Sequence, residues 1–352
     1  MEKRRFYKKD TVLAVIMAVL FVLLLVAVLF PGSRQTERKS KTVYDLFDTE
    51  ITVYDYTGKS DRSFDRTFNK LESLFRYYDS LFDIYDSHGD TVNLYDLNAA
   101  AGGEPVKVDR ELIDFLKYSK DIYEKTDGEV NIAMGAVLSL WHDQREAGNL
   151  NPDLAALPDS EALREASLHC NIDDIIIDEE NSTVRLLDSK MSLDVGAVGK
   201  GYAAERAAEM LYEANLSGWA LDVGGNLRVI GTKTNGEPWE TGIKNPNTLS
   251  ENRYVYTFSL ADGSAATSGD YERYYVVNGK KYHHIIDKDT LFPPDEFSSV
   301  TVIVSDAGLA DSLSTALFCM TLEEGRALIN RTDGAFAVWV LPSGEVLTSE
   351  SN

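Results

Sequence analysis

Cysteine, histidine and net positive charge are all scarce in this 352-residue chain. Its two cysteines, Cys170 and Cys319, are too few for a disulfide framework. They could pair outside a cell, but Cys319 lies in an apolar helical pattern and reads as a small core residue. No His/Cys cluster has zinc spacing. A formal net charge of −22 lacks the basic footprint that a duplex binder needs, so no nucleic-acid partner is expected. A nucleotide remains open, because one local cradle and a cation can hold it. Also missing are a G-x-x-x-x-G-K-[ST] loop, a G-x-G-x-x-G fingerprint, internal repeats and low-complexity tracts.

Long apolar runs are absent too, with one exception. Val12–Phe30 contains no charged residue, no proline and no glycine, and follows a cluster formed by Lys3, Arg4, Arg5, Lys8 and Lys9. At about 1.5 Å per residue it comes close to spanning a hydrocarbon layer roughly 30 Å thick. A cleaved signal peptide would have a shorter apolar run, of roughly 7–15 residues, and an A-x-A-like site. The reading is therefore an uncleaved signal anchor. Residues 1–10 form a basic cytoplasmic segment, 11–30 one transmembrane helix, 31–42 a tether and 43–350 a globular domain. The basic flank stays cytoplasmic, which puts that domain on the outer face of the cell membrane.

Within the domain, Val43–Tyr56 reads as strand, turn and strand. Phe64–Ile84 reads as an amphipathic helix with a core stripe of Phe68, Leu71, Leu74, Phe75, Tyr78 and Phe82. Further helices are expected at Glu111–Thr126, Ala307–Met320 and Leu322–Arg331, and a short one within Asn149–Leu168. A hairpin is expected at Ile172–Leu187. Strands are expected in Trp219–Ile230 and at Trp239–Lys244, Tyr254–Leu260, Arg273–Val277, Ser299–Val304 and Phe336–Leu341. Strands and helices intermix without strict βαβ order, which predicts a mixed α+β fold.

Four segments carry chemistry. Met191–Leu211 runs from a strand-like MSLDV through Gly196, Gly199 and Gly201 into a helix. Such a turn is either a tight connection or a cradle of backbone N–H groups for an anion, with Asp194 and Lys200 beside it. In Tyr282–Asp287, neighbouring His283 and His284 on a strand point to opposite faces, leaving one free to act as a base or both as surface residues. Asp311 and Thr315 sit at i and i+4 of a helix. They are a hard-oxygen pair suited to Mg²⁺, or simply a helix-start charge and a packed polar residue. Thr267–Tyr271 reads as a polar turn.

Taken in order, LDVGAVGKGYAAERA, LDVGGNL with GTKTNGEPWETGIKNP, TSGDYERYY, YHHIID and VTVIVSDAGLADSLSTAL resemble the ApbE family. So do LFDTEITVY, IYD with LN and TDGEVNIAMGAVLSLWHD, so the resemblance spans residues 43–348. It implies an ApbE/T-fold-like α+β domain of mixed, largely antiparallel sheets with packed helices. It also implies an enzyme that moves the FMN half of FAD to a Ser or Thr hydroxyl of an acceptor protein and releases AMP. Phe47, Tyr85, Glu129, Val130, Asn131, Asp194, Lys200 and Ile286 would contact FAD. The Ala197 carbonyl, Asp311 and Thr315 would hold Mg²⁺, and His284 would be the base. The acceptor would be an FMN-binding-domain protein on the outer membrane face. The alternatives are an FAD pyrophosphatase giving FMN and AMP, and a surface protein that holds FAD without catalysis. Two stretches depart from the family pattern. HIIDKDTLFPP has Lys288 and Leu291 where Pro and Gly are usual, and NIAMGA has Asn131 and Ala133 where Asp and Thr are common.

Overall fold

The computed structural model describes residues 38–89, 91–247 and 250–350. The basic segment, the expected transmembrane helix and residues 31–37 of the tether lie outside the described residues. Among those described, no helix is long and apolar enough to cross a membrane.

The chain order is β1 (Lys39–Leu46), β2 (Thr49–Asp55), α1 (Asp61–Phe82), α2 (Leu94–Ala99), β3 (Val106–Lys107), α3 (Arg110–Lys125), α4 (Gly135–Leu150) and α5 (Ser160–Ser167). Next come β4 (Ile175–Asp178), β5 (Thr183–Leu186), α6 (Gly199–Glu213), β6 (Trp219–Val223), β7 (Asn226–Ile230), β8 (Trp239–Lys244) and β9 (Tyr254–Leu260). The rest is β10 (Gly263–Gly269), β11 (Tyr274–Val277), β12 (Lys280–His283), β13 (Ser299–Val304), α7 (Ala307–Cys319), α8 (Leu322–Asn330), β14 (Phe336–Val340) and β15 (Val346–Thr348).

Eight strands form one sheet in the order β1-β2-β6-β7-β10-β13-β14-β15. All its neighbours pair antiparallel, as expected of an α+β fold. Alternation along each strand gives the sheet two unlike faces. Ile51, Val53, Leu221, Val223, Ala266, Val300 and Val302 join the main core, together with the aromatic stripe of α1 and the alanines of α6. Each such large side chain contributes about 1.5–3 kcal/mol when fully buried. The other face carries Tyr54, Ala220, Leu227, Val229, Ala265 and Ile303, covered by Trp239, Phe258 and Leu260 of the β8–β9 hairpin.

Three local expectations are corrected. The strand β1 begins at Lys39, so residues 39–42 belong to the sheet and not to the tether, because they pair with Thr52–Asp55. MSLDV is not a strand, since only Ser192 makes a bridge, parallel to Met134. Thr267–Gly269 is not a turn but the end of β10, where Thr267 pairs with Thr301 across the sheet.

Candidate active site

The turn after Asp194 feeds directly into α6, whose N-terminus carries partial positive charge. The Gly196 N–H donates to Asp194 Oδ1 at 2.9 Å, and Lys200 reaches back to the Gly196 carbonyl at 3.1 Å. The next step decides the chemistry. Gly201 N–H does not bond the carbonyl four residues back, that of Ala197. It crosses to α7 and donates to Asp311 Oδ2 at 2.9 Å. The Ala197 carbonyl is left without a donor among the described residues and lines a cavity of about 1320 Å³.

Asp311 and Thr315 line the same cavity from α7. Asp311 is only 5% exposed, with Lys200 Nζ 4.0 Å from its Oδ2. Thr315 Oγ1 lies 3.1 Å from Ser268 Oγ at the end of β10. A carboxylate, a hydroxyl and an unengaged carbonyl make a hard-oxygen donor set, which fits Mg²⁺ and not zinc. Among the described residues no cluster of three or more His, Cys, Asp or Glu could hold a metal, so a cation here depends on the hydroxyl and the carbonyl.

The two histidines diverge as expected, although β12 ends at His283 and His284 lies just beyond it. His283 is buried, with Nε2 bonded to the Pro294 carbonyl at 2.8 Å and its ring edge-on to Phe318. His284 Nδ1 lies 3.2 Å from the Arg273 carbonyl. A carbonyl only accepts, so Nδ1 carries the proton and Nε2 keeps its lone pair. Burial, and then the cations of Arg273, Lys200 and Arg145, hold His284 down to about 3. It is an uncharged base across the physiological range.

The remaining expected residues meet at this cavity as well: Phe47, Tyr85, Glu129, Val130, Asn131, Asp194, Lys200 and Ile286. Their side chains are not equally available. Asn131 spends its amide on the Cys170 carbonyl and the Ala133 N–H, and its backbone carbonyl accepts the Met134 N–H at 3.2 Å. Tyr85 is 55% exposed and packs on His142. Burial pushes the Asp194 and Glu129 carboxyls up, and Lys288 pairs with Glu129 at 3.2 Å. Arg145, Arg273 and Asn226 also line the cavity and were not singled out from the sequence. Arg273 and Asn226 fall within TSGDYERYY and LDVGGNL, whereas Arg145 lies two residues beyond a quoted motif. In a chain of net charge −22, Lys200, Arg145 and Arg273 gather cations where an anion would sit.

The ApbE family model matches residues 47–340. The chain belongs to the ApbE family. An FAD:protein FMN transferase of Treponema pallidum is 33% identical over 293 residues, covering 79% of each chain. One of Klebsiella pneumoniae is 30% identical over 255 residues, covering 72% of this chain and 76% of the relative. The crystal structure of the ApbE protein of Thermotoga maritima superposes with a TM-score of 0.77 at 29% identity, covering 89% of this chain and 97% of that one. The motifs that define the family resemblance are those that bring Asp194, Lys200, His284, Asp311 and Thr315 to one cavity. The free cysteines Cys170 and Cys319 take no part in it.

Proposed function

We infer that this ApbE-family chain transfers the FMN half of FAD to a Ser or Thr hydroxyl of an acceptor protein and releases AMP. The observation that carries this reading is the convergence of an uncharged His284, cationic side chains and an oxygen donor set in one cavity. The curated relatives are named FAD:protein FMN transferases, which supports the flavin transfer itself.

Ala197, Asp311 and Thr315 would hold Mg²⁺, which supplies charge neutralisation for a diphosphate when bound. Lys200 and the N-terminus of α6 add positive charge on the same side. A hydroxyl is a weak nucleophile until a base takes its proton. His284 Nε2 is that base, because its Nδ1–H is committed to Arg273. The acceptor oxygen forms a new bond to the FMN phosphorus, the bridging P–O bond breaks, AMP leaves, and the proton goes to Nε2. An incoming diphosphate offsets Arg273, Lys200 and Arg145, so it strengthens His284 as a base once the substrate is in place.

The anchor at 11–30 and an extracytoplasmic domain follow from composition alone, and would keep the enzyme beside acceptors on the same membrane face. The test incubates the full chain with FAD, Mg²⁺ and an FMN-binding-domain protein. Flavin fluorescence on the denatured acceptor band is expected. Free FMN and AMP without labelled acceptor would identify a pyrophosphatase. FAD that stays intact would identify a carrier.

A further inference from the structure

Small-molecule pockets occupy roughly 300–1,000 Å³, and the cavity here is larger, at about 1320 Å³. Part of its wall is the β8–β9 hairpin. All six residues of β8, Trp239–Lys244, line it, whereas β9 contributes only Tyr254 and Phe258. A strand that shows one face contributes residues from that face alone, as β9 does with Tyr254 and Phe258. Consecutive residues mean that β8 turns its edge to the cavity. Among the described residues the backbone of β8 pairs with β9 alone, so that edge has no strand partner. Across the gap, Ala220 and Leu227 line the cavity from the sheet face that the hairpin covers. Gly224 and Gly225, both at positive φ, bring bare backbone to the cavity wall.

We propose that the edge of β8 is the docking site for an extended, hydroxyl-bearing segment of the acceptor protein, which adds to it as a further strand. The proposal rests on the transferase reading above. An unpaired strand edge offers alternating N–H and C=O groups, which complement another polypeptide backbone and not a nucleotide. Six residues at about 3.4 Å each give an edge about 20 Å long, enough for a short segment. Thr267 and Ser268, adjacent residues on opposite faces of β10, also line the cavity. Thr267 closes the hairpin side through Thr301 at 2.8 Å, and Ser268 touches Thr315 of the metal pair. A segment lying along β8 enters the cavity that Asp311 and Thr315 also line, which brings its hydroxyl to the side of the metal pair.

The test uses the full chain carrying Thr241→Arg, which blocks the groove with bulk, and separately Thr241→Ser, which adds none. The probe is the FMN-binding-domain protein of the assay above. With Thr241→Arg its KM should rise at least tenfold and with Thr241→Ser it should stay near the parent value, while in both variants FAD affinity and acceptor-free release of FMN stay within about twofold of the parent. An unchanged acceptor KM for Thr241→Arg overturns the docking site. A parallel fall in FAD affinity also overturns it and assigns the groove to the nucleotide. If the parent chain binds and turns over FAD but labels no acceptor, the transferase reading falls, and the docking site with it.

Discussion

Gly201 and Asp311 are joined at a distance that only glycine permits. The N–H of one donates to the carboxylate of the other at 2.9 Å, and a Cβ on Gly201 would lie 2.5 Å from Asp311 Cβ and 2.5 Å from the Ala307 carbonyl. Its φ is ordinary, so the requirement is for space, not for a left-handed backbone. Gly201→Ala should push α6 from α7, break the Asp311 contact and cost about 1–3 kcal/mol in overpacking. The expected result is a lower Tm together with loss of Mg²⁺-supported transfer by two orders of magnitude or more. A variant of parental stability and activity would show that the helices separate without consequence.

Asp311 supplies the one carboxylate of the hard-oxygen set. Asp311→Asn retains its shape but removes the charge that a divalent cation needs. Transfer should fall to background, and chelation of the parent with EDTA should reproduce that loss and be reversed by added Mg²⁺. Isothermal titration with Mg²⁺ alone should show binding to the parent and none to the variant. Full turnover in EDTA would remove the metal from the site.

His284 makes stability depend on pH with a defined sign. Its folded value is near 3 against an ordinary value of 6.5, so between these limits the unfolded chain binds the extra proton. Stability therefore falls as pH falls through that window and is unaffected by this group above it. Urea titrations of the parent and of His284→Gln should diverge below pH 6, with the parent losing more. The same variant should retain FAD binding and lose transfer about 10²–10⁴-fold, the usual contribution of a general base. Full turnover by His284→Gln would end the assignment.

Much of the fold was legible in the sequence, because apolar period and β-branched runs report burial directly. The α1 stripe is buried at Phe68, Leu71, Phe75, Tyr78 and Phe82, and the Ile172–Leu187 hairpin closes as β4 and β5. The motifs picked out residues that the fold gathers at one cavity. What could not be read is how backbone groups are spent. That Gly201 abandons Ala197 for Asp311, or that Asn131 consumes its amide internally, depends on contacts across 110 and 39 residues. Long-range proximity has no local period. Leu291 shows the reverse case: it replaces an expected glycine, yet the turn retains a φ of 60°, and its carbonyl accepts from Trp141 Nε1 at 2.9 Å. Tertiary bonding holds a leucine where local preference would choose glycine.

Arg228 and Glu205 fasten the two site helices to the sheet. The guanidinium of β7 forks onto the carboxylate of α6 at 2.9 and 3.1 Å, and the same carboxylate accepts the Ala307 N–H that opens α7 at 2.8 Å. Arg228 is 5% exposed. Glu205→Ala leaves that guanidinium buried with Asp262 as its remaining acidic partner, so a loss of about 3–5 kcal/mol is expected in denaturant unfolding. Glu205→Gln, which keeps the shape, should lose less. A change below 1 kcal/mol for Glu205→Ala would mean that Asp262 compensates.

Lys288 stands where the family commonly has proline, and it has a local task. Its ammonium lies 3.2 Å from Glu129 Oε1 and 2.7 Å from Asp289, while Glu129 Oε2 is buried with no hydrogen-bond partner among the described residues. Burial pushes the Glu129 carboxyl up, and Lys288 opposes that rise. Lys288→Met strands a buried carboxylate at the cavity wall and should cost about 1–3 kcal/mol at pH 8. Removing the cation also raises the affinity of Glu129 for a proton. As pH falls the carboxylate is neutralised in the folded state, so the deficit should shrink towards pH 5. Lys288→Arg should restore most of the stability at both values, because a second cation can occupy the same place. Equal deficits for Lys288→Met at pH 8 and pH 5 would mean that the loss comes from packing of the lysine stem and not from the charge it places beside Glu129.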